Sequence, residues 1–274
     1  MKKILFALVL AISSLQSQAW DQRAPLPVDS CKVHSPYGFA QTQRTALPIC
    51  REAYLVAYDA PVKIPVYVAY TLLPQNALGC FPRTNAFVAD QSLNGTGAKP
   101  DDYVGTGYDK GHAAPDGDLS WSQQVEYESF LMTNMYPQAG SLNRGIWKLL
   151  ETSVRGWSYQ LGNSFTIFAG AIYAQGDKTI GNGVIVPHGY YKIVINNNTG
   201  AIAGWAFPHT APYPNLGNDL TKFRLPIAQI EQSAGVKFAF PATAKELAPG
   251  TEWPVNFGDL TKAKRAKCGA NAAD

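Results

Sequence analysis

Several residue types are scarce in this chain of 274 residues: it holds four histidines, four cysteines and three methionines. The cysteines, Cys31, Cys50, Cys80 and Cys268, show none of the close pairing that zinc modules require. His34, His188 and His209 are scattered, so a zinc centre gets little support. The formal charge is only +3, which excludes a bulk polycation; any attraction to nucleic acid must come from a local cluster of Lys and Arg. After the N-terminus no apolar run approaches the roughly twenty residues of a membrane span. No repeat of about 20 to 50 residues is visible, which argues against solenoids and propellers.

What is present begins with MKKILFALVLAISSLQSQA, Met1 to Ala19. Two lysines, a short apolar run and a small-x-small end form the layout of a secretory signal peptide. Cleavage after Ala19 leaves a mature chain from Trp20 to Asp274, expected to be exported, to form one domain and to have no membrane partner. In an oxidising compartment the four cysteines form two disulfides, with three connectivities that sequence alone does not separate. The pairing carried forward is Cys31 with Cys50 and Cys80 with Cys268.

Tyr54 to Leu73 is rich in Val, Tyr and Ile and is interrupted by Asp59-Ala60-Pro61, which predicts two strands around a turn. Phe165 to Tyr173 predicts a further strand, and Tyr190 to Pro208 a hairpin turning at Asn197-Asn198-Thr199-Gly200. The best helix is Leu142 to Tyr159, with Ser141 as its N-cap, and a shorter one covers Pro226 to Gly235. Strands dominate without βαβ alternation, so the expected class is α+β, a central antiparallel sheet with flanking helices.

At 100° per residue, Ile146, Leu149, Leu150 and Trp157 share an apolar arc of the Leu142 helix. Asn143, Trp147, Glu151 and Arg155, each four apart, step round the neighbouring arc. Backbones eight residues apart are separated by roughly 12 Å along the axis, so Asn143 and Glu151 do not both bind one small cation directly. Glu151 leans back toward the N-terminus and reaches instead for water held by that cation. One amide oxygen plus several waters suits Mg²⁺, and Mn²⁺ accepts the same oxygen ligands.

Three blocks then carry a resemblance. YDKGHAAP at Tyr108 to Pro115, TNMYPQ at Thr133 to Gln138 and LNRGIWKLLE at Leu142 to Glu151 together resemble the DNA/RNA non-specific endonucleases of the ββα-metal class. They look like that family's DRGH signature, its asparagine-proline-glutamine turn and its metal-binding helix, in order. A lone D-x-G-H is weak; three ordered blocks are strong. Weaker likenesses at Ala69 to Leu72 and Tyr191 to Val194 extend the coverage to roughly Tyr54 to Phe240.

The resemblance implies a ββα-metal active-site motif and a role for each matching residue. His112 matches the general base, Asn143 the main protein ligand of the catalytic Mg²⁺, and Glu151 the glutamate that reaches the metal's water shell. Arg155 falls where the family has an arginine near the phosphate, Asn134 matches an asparagine that supports the site, and Arg83 matches an arginine ahead of the signature. The signature arginine is Lys110 here, which keeps the charge but loses the planar two-pronged donor. The implied activity is Mg²⁺-dependent hydrolysis of DNA and RNA to 5′-phosphate ends. Recognition runs through the phosphate backbone, which positions a chain without reading its sequence.

Other readings stand beside this one. The scaffold also suits a nucleic-acid-binding or uptake protein with little turnover, or a phosphodiesterase for small nucleotides. Alone, Glu151 and Arg155 read as an i, i+4 ion pair on a solvated face, and Trp147 and Trp157 as packing. Asp116-Gly117-Asp118 reads as a turn, and Lys262, Lys264, Arg265 and Lys267 as an exposed basic tail. Nothing in the sequence selects an oligomeric state.

Overall fold

The computed structural model describes residues 22–269. The expected signal segment and its cleavage point lie outside the described residues. Of the thirteen strands among the described residues, nine position the site: β1 Leu47–Cys50, β2 Leu55–Asp59, β3 Ile64–Leu72, β4 Tyr108–His112, β5 Met135–Ala139, β6 Phe165–Ile172, β7 Gly189–Asn196, β8 Ala201–Pro208 and β9 Lys245–Glu246. Seven of them form one sheet in the order β9-β8-β7-β6-β3-β2-β1. Neighbours in it run antiparallel except for β8 with β9. β4 and β5 stand apart as a hairpin, with His112 opposite Met135 and Tyr108 opposite Ala139.

The sheet is covered on both faces, and this explains why its central strands read as continuous apolar runs. Along β7, Tyr190 and Val194 join the core that holds Trp147, Leu150 and Trp157. Tyr191, Ile193 and Ile195 point the other way, into a second core with Ile227 and Ile230. Ile193 and Phe168 are fully buried, each contributing about 1.5–3 kcal/mol of transfer free energy. The expected α+β class, the two strands around Asp59 and the later hairpin are all present, the last turning through 197–200 between β7 and β8.

Five α-helical pieces matter here: α1 Asp116–Leu119, α2 Gln123–Ser129, α3 Lys148–Leu161, α4 Ile227–Ala234 and α5 Phe257–Cys268. α3 ends at Gly162, whose φ of 66° is open to a residue without Cβ. The helix does not begin as expected. Helical turns start at Gly140, pass through a wide turn at Asn143–Trp147 with Gly145 at φ −101° and ψ −119°, and only then become regular. Ser141 is no N-cap: Ala139 occupies that place, and the Ser141 hydroxyl donates to the Tyr213 carbonyl at 2.8 Å.

Both disulfides pair as expected, Cys31–Cys50 and Cys80–Cys268, with Cα separations of 5.6 and 5.1 Å. Lys262, Arg265 and Lys267 are exposed as expected, but the tail is a correction, since the segment is helical and Lys264 is buried. Lys262 to Lys267 lie within α5, whose Leu260 and Lys264 are buried and whose Leu260 packs near Gly156 of α3. No described helix is long and apolar enough to cross a membrane.

Candidate active site

The β4–β5 hairpin and the helix that follows it build one cleft. β5 delivers the chain to Gly140 opposite the start of β4, and the helix then returns alongside β4 and its continuation. Each turn meets the next stretch of that segment. Asn143 Nδ2 donates to Asp109 Oδ2 at 2.9 Å, Trp147 Nε1 to the His112 carbonyl at 3.1 Å, and Arg155 Nη1 to Asp118 Oδ1 at 2.8 Å. Gly111 and Gly117 permit this closeness, since a Cβ on Gly111 would overlap the Gln138 carboxamide and one on Gly117 the Arg155 guanidinium.

The cleft measures about 250 Å³ and is lined by Arg83, Lys110, His112, Asp116, Asn143, Arg144, Lys148, Glu151 and Arg155, with Pro115 and Gly117 between them. Six of the seven residues singled out from the sequence therefore converge. The seventh, Asn134, lies beneath, wholly buried. Its Oδ1 accepts from Ala114 N at 2.9 Å, and its Nδ2 donates to the carbonyls of Ala114 and Ser129, both at 2.8 Å. It fixes the backbone just after His112.

His112 is 7% exposed, and its Nε2 is buried without a hydrogen-bond partner. The ring packs edge-on to Phe130 at 5.0 Å between centroids. Burial drives its pKa down to about 4, with Arg83 and Lys192 pushing the same way and Asp116 opposing. The imidazole is accordingly neutral at pH 7. Glu151 shows the mirror effect: burial raises its carboxyl to about 7, against the pull of Lys192 and Arg155. Its Oε1 lies 3.4 Å from the Lys192 ammonium but forms no well-directed hydrogen bond.

The bland alternative for Glu151 and Arg155 does not hold: both are buried, and their partners include Lys192 for the one and Asp118 for the other. Asp118 also accepts from the Tyr70 hydroxyl at 2.7 Å. Arg83 pairs with Asp116 and covers Phe130, and Arg144 pairs with Asp109 at 2.6 Å. Lys110 sits over the rings of Phe87 at 5.1 Å and Tyr103 at 5.8 Å. Such contact uses the charge of residue 110 and not a bidentate fork.

Asp109, Asp118 and Lys192 were missed as functional candidates. Strand alternation could have found Lys192, because β7 puts it on the same face as Tyr190 and Val194. The acids carried no such signal, since their partners are distant in sequence.

The donor set suits a hard divalent cation. Because Asn143 commits its Nδ2 to Asp109, its amide oxygen is the atom left for the cleft, and Glu151, whose Oε1 faces Lys192, lines the same cleft. Among the described residues no three His, Cys, Asp or Glu side chains group as ligands, so water would have to supply most of the coordination of a cation held there, which Mg²⁺ tolerates.

A family model described as DNA/RNA non-specific endonuclease matches residues 32–245. The chain belongs to the DNA/RNA non-specific endonuclease family. Among its relatives, the "Nuclease" of Nostoc sp. is 30% identical over 254 residues, covering 85% of this chain and 89% of the relative. Human "Endonuclease G, mitochondrial" is 30% identical over 204 residues, covering 69% and 68% respectively. The fission-yeast (Schizosaccharomyces pombe) "Nuclease 1, mitochondrial" is also 30% identical, and the match spans 67% of this chain but only 63% of that protein. The fold is shared with EndoG in a crystal structure of an EndoG/EndoGI complex, with a TM-score of 0.65, 23% identity and coverage of 76% of this chain and 90% of that one. α5 lies beyond the segment that this endonuclease family model matches.

Proposed function

We propose that this protein is an exported, Mg²⁺-dependent endonuclease that hydrolyses DNA and RNA without sugar or sequence preference, leaving 5′-phosphate ends. The mature chain from Trp20 acts as a single nuclease domain. Two disulfides support an oxidising destination. One observation carries the reading: an imidazole whose Nε2 is buried without a hydrogen-bond partner and an asparagine with its amide nitrogen already engaged line the same cation-rich cleft.

A phosphodiester resists hydrolysis because its negative charge repels an electron-rich nucleophile and the 3′ oxygen leaves poorly. His112 takes a proton from the attacking water on its imidazole. A pKa near 4 makes a weak base in the free protein, but an anionic diester entering the cleft favours the imidazolium and lifts that value toward the working range. Asn143 and, through water, Glu151 would hold the cation. A bound divalent cation there supplies neutralisation of the phosphoryl oxygens and a proton source for the leaving oxygen. Arg83, Arg155 and Lys110 stabilise the remaining negative charge.

Incubation of supercoiled plasmid and of structured RNA with the mature protein and Mg²⁺, or Mn²⁺, tests this. Both substrates should be cut, and His112→Ala should abolish cutting. Persistent supercoiled DNA with the wild type would instead identify a binding protein, and hydrolysis of a chromogenic diester with intact plasmid a small-nucleotide phosphodiesterase.

A further inference from the structure

Lys192 is wholly buried in the middle of β7, a position where an ammonium is costly unless it is paired. Its environment is specific. Nζ donates to the Ala113 carbonyl at 2.9 Å, lies 3.4 Å from Glu151 Oε1, and sits 4.2 Å from the centroid of the Trp147 ring. Ala113 directly follows His112. Three consecutive carbonyls, beginning with that of the catalytic candidate itself, are thus each held by a side chain from a different element: His112 by Trp147, Ala113 by Lys192 and Ala114 by Asn134. Of the three side chains, Lys192 is the one that also reaches the carboxylate on the helix.

We infer that Lys192 is a positioning residue that fixes the spacing between His112 and Glu151, gripping the backbone that carries one and the carboxylate of the other. The inference rests on the nuclease reading above. With no exposed surface, Lys192 cannot touch a phosphate, so it acts through its two partners. The sheet beneath makes the anchor rigid: Lys192 is paired in register with Ala169 on β6 and Trp205 on β8. A side chain rooted on an interior strand of a seven-stranded sheet transmits that rigidity to both walls of the cleft.

Lys192→Met keeps the apolar stem and deletes the ammonium. Its kcat should fall on the order of 100-fold, the usual loss for a displacement near 1 Å in a reacting geometry, while KM stays within about threefold because the phosphate-facing cations are untouched. Lys192→Arg, which retains charge and donors, should recover part of kcat. A crystal structure of Lys192→Met should show His112 and Glu151 moved relative to one another by about 1 Å or more. If that variant does not fold, Glu151→Gln is compared with Glu151→Gln/Lys192→Met, in which the stranded carboxylate is also neutral. The double variant should lose about tenfold more kcat than the single one, the part transmitted through Ala113. Unchanged kcat in a folded Lys192→Met, unmoved side chains in its structure, or equal kcat in the Glu151→Gln pair would overturn the inference. An inactive wild type would sink the nuclease reading instead, and the crystallographic comparison would still decide the role of Lys192.

Discussion

Lowering the pH should destabilise the folded protein through His112, and the size of the effect follows from burial. An unfolded chain binds a proton at the ordinary imidazole value of 6.5, whereas the folded site does so only at about 4. Between these values the unfolded state holds more protons, so stability is fully present above about pH 6.5 and drains away as pH falls toward 4. From pH 7 to pH 5 the loss attributable to this group is about 2 kcal/mol, and about 3 kcal/mol once both states are protonated. The total pH dependence will not display it. Glu151, raised to about 7, acts in the opposite sense: its stabilising contribution is complete below about pH 4.5 and disappears as pH rises through 7, so acidification restores about 2 kcal/mol over the same interval. His34 and His209, also lowered by burial, add to the loss. The measurable quantity is therefore the difference between wild type and His112→Asn in urea unfolding at pH 7 and pH 5, in which these background groups cancel. The variant should gain about 2 kcal/mol relative to wild type on acidification. A difference that does not change with pH would mean that the imidazole is not held neutral by burial, and the account of the base would fail with it.

Asp118→Asn leaves the Arg155 guanidinium buried beside a neutral partner and weakens the Tyr70 contact; unfolding free energy should drop by about 3–5 kcal/mol, and a change under 1 kcal/mol would show the pair to be solvated. Asp109→Ala frees the Asn143 amide and Arg144, so titration calorimetry with Mg²⁺ or Mn²⁺ should show affinity weaker by about 10- to 100-fold, the usual cost of losing a group that orients a ligand. Replacing Cys80 and Cys268 by serine removes a link between residues 188 apart; stability should fall by about 3 kcal/mol, with early proteolysis in α5, and an unchanged denaturation midpoint would argue against the cross-link as a stabiliser.

The site was more legible than the side chains that support it. Local blocks announced His112, Asn143 and Glu151 because hairpin and helix are consecutive in the chain, so their register is written in neighbouring residues. Asp109, Asp118 and Lys192 act across long sequence separations, pairing with Asn143, Arg155 and Glu151, and only the folded sheet brings those partners together. The start of the helix was misread for a different reason. Ser141 has the right chemistry for an N-cap, but its hydroxyl is taken by Tyr213, and the backbone at Gly145 leaves the regular helix. A straight-helix projection is therefore wrong over the first two turns, although Asn143 still reaches the cleft. The basic segment before Cys268 looked like a tail because charge dominates its composition; the buried Leu260 and the Cys80 cross-link make it a docked helix.

The cations of the cleft also differ in what they can do, and exposure sorts them. Arg155, its side chain 6% exposed, cannot leave Asp118, whose side chain is 0% exposed, without stranding a carboxylate in the core. It is a fixed wall of positive potential. Arg83 and Arg144 have side chains 34% and 71% exposed and are held by Asp116 and Asp109 at the rim, where exchanging one anionic partner for another costs little. Each carboxylate there serves as a stand-in for a phosphate, keeping a guanidinium extended before substrate arrives and reducing the entropy lost on binding. Apart from the His112 imidazole and a single proline, the lining side chains are charged or amide groups, a surface that meets phosphate and sugar more readily than base edges. Breadth of substrate under the proposed reading then follows from the same arrangement that orders the cations, because groups preorganised for a phosphate find one at every step of a nucleic acid strand.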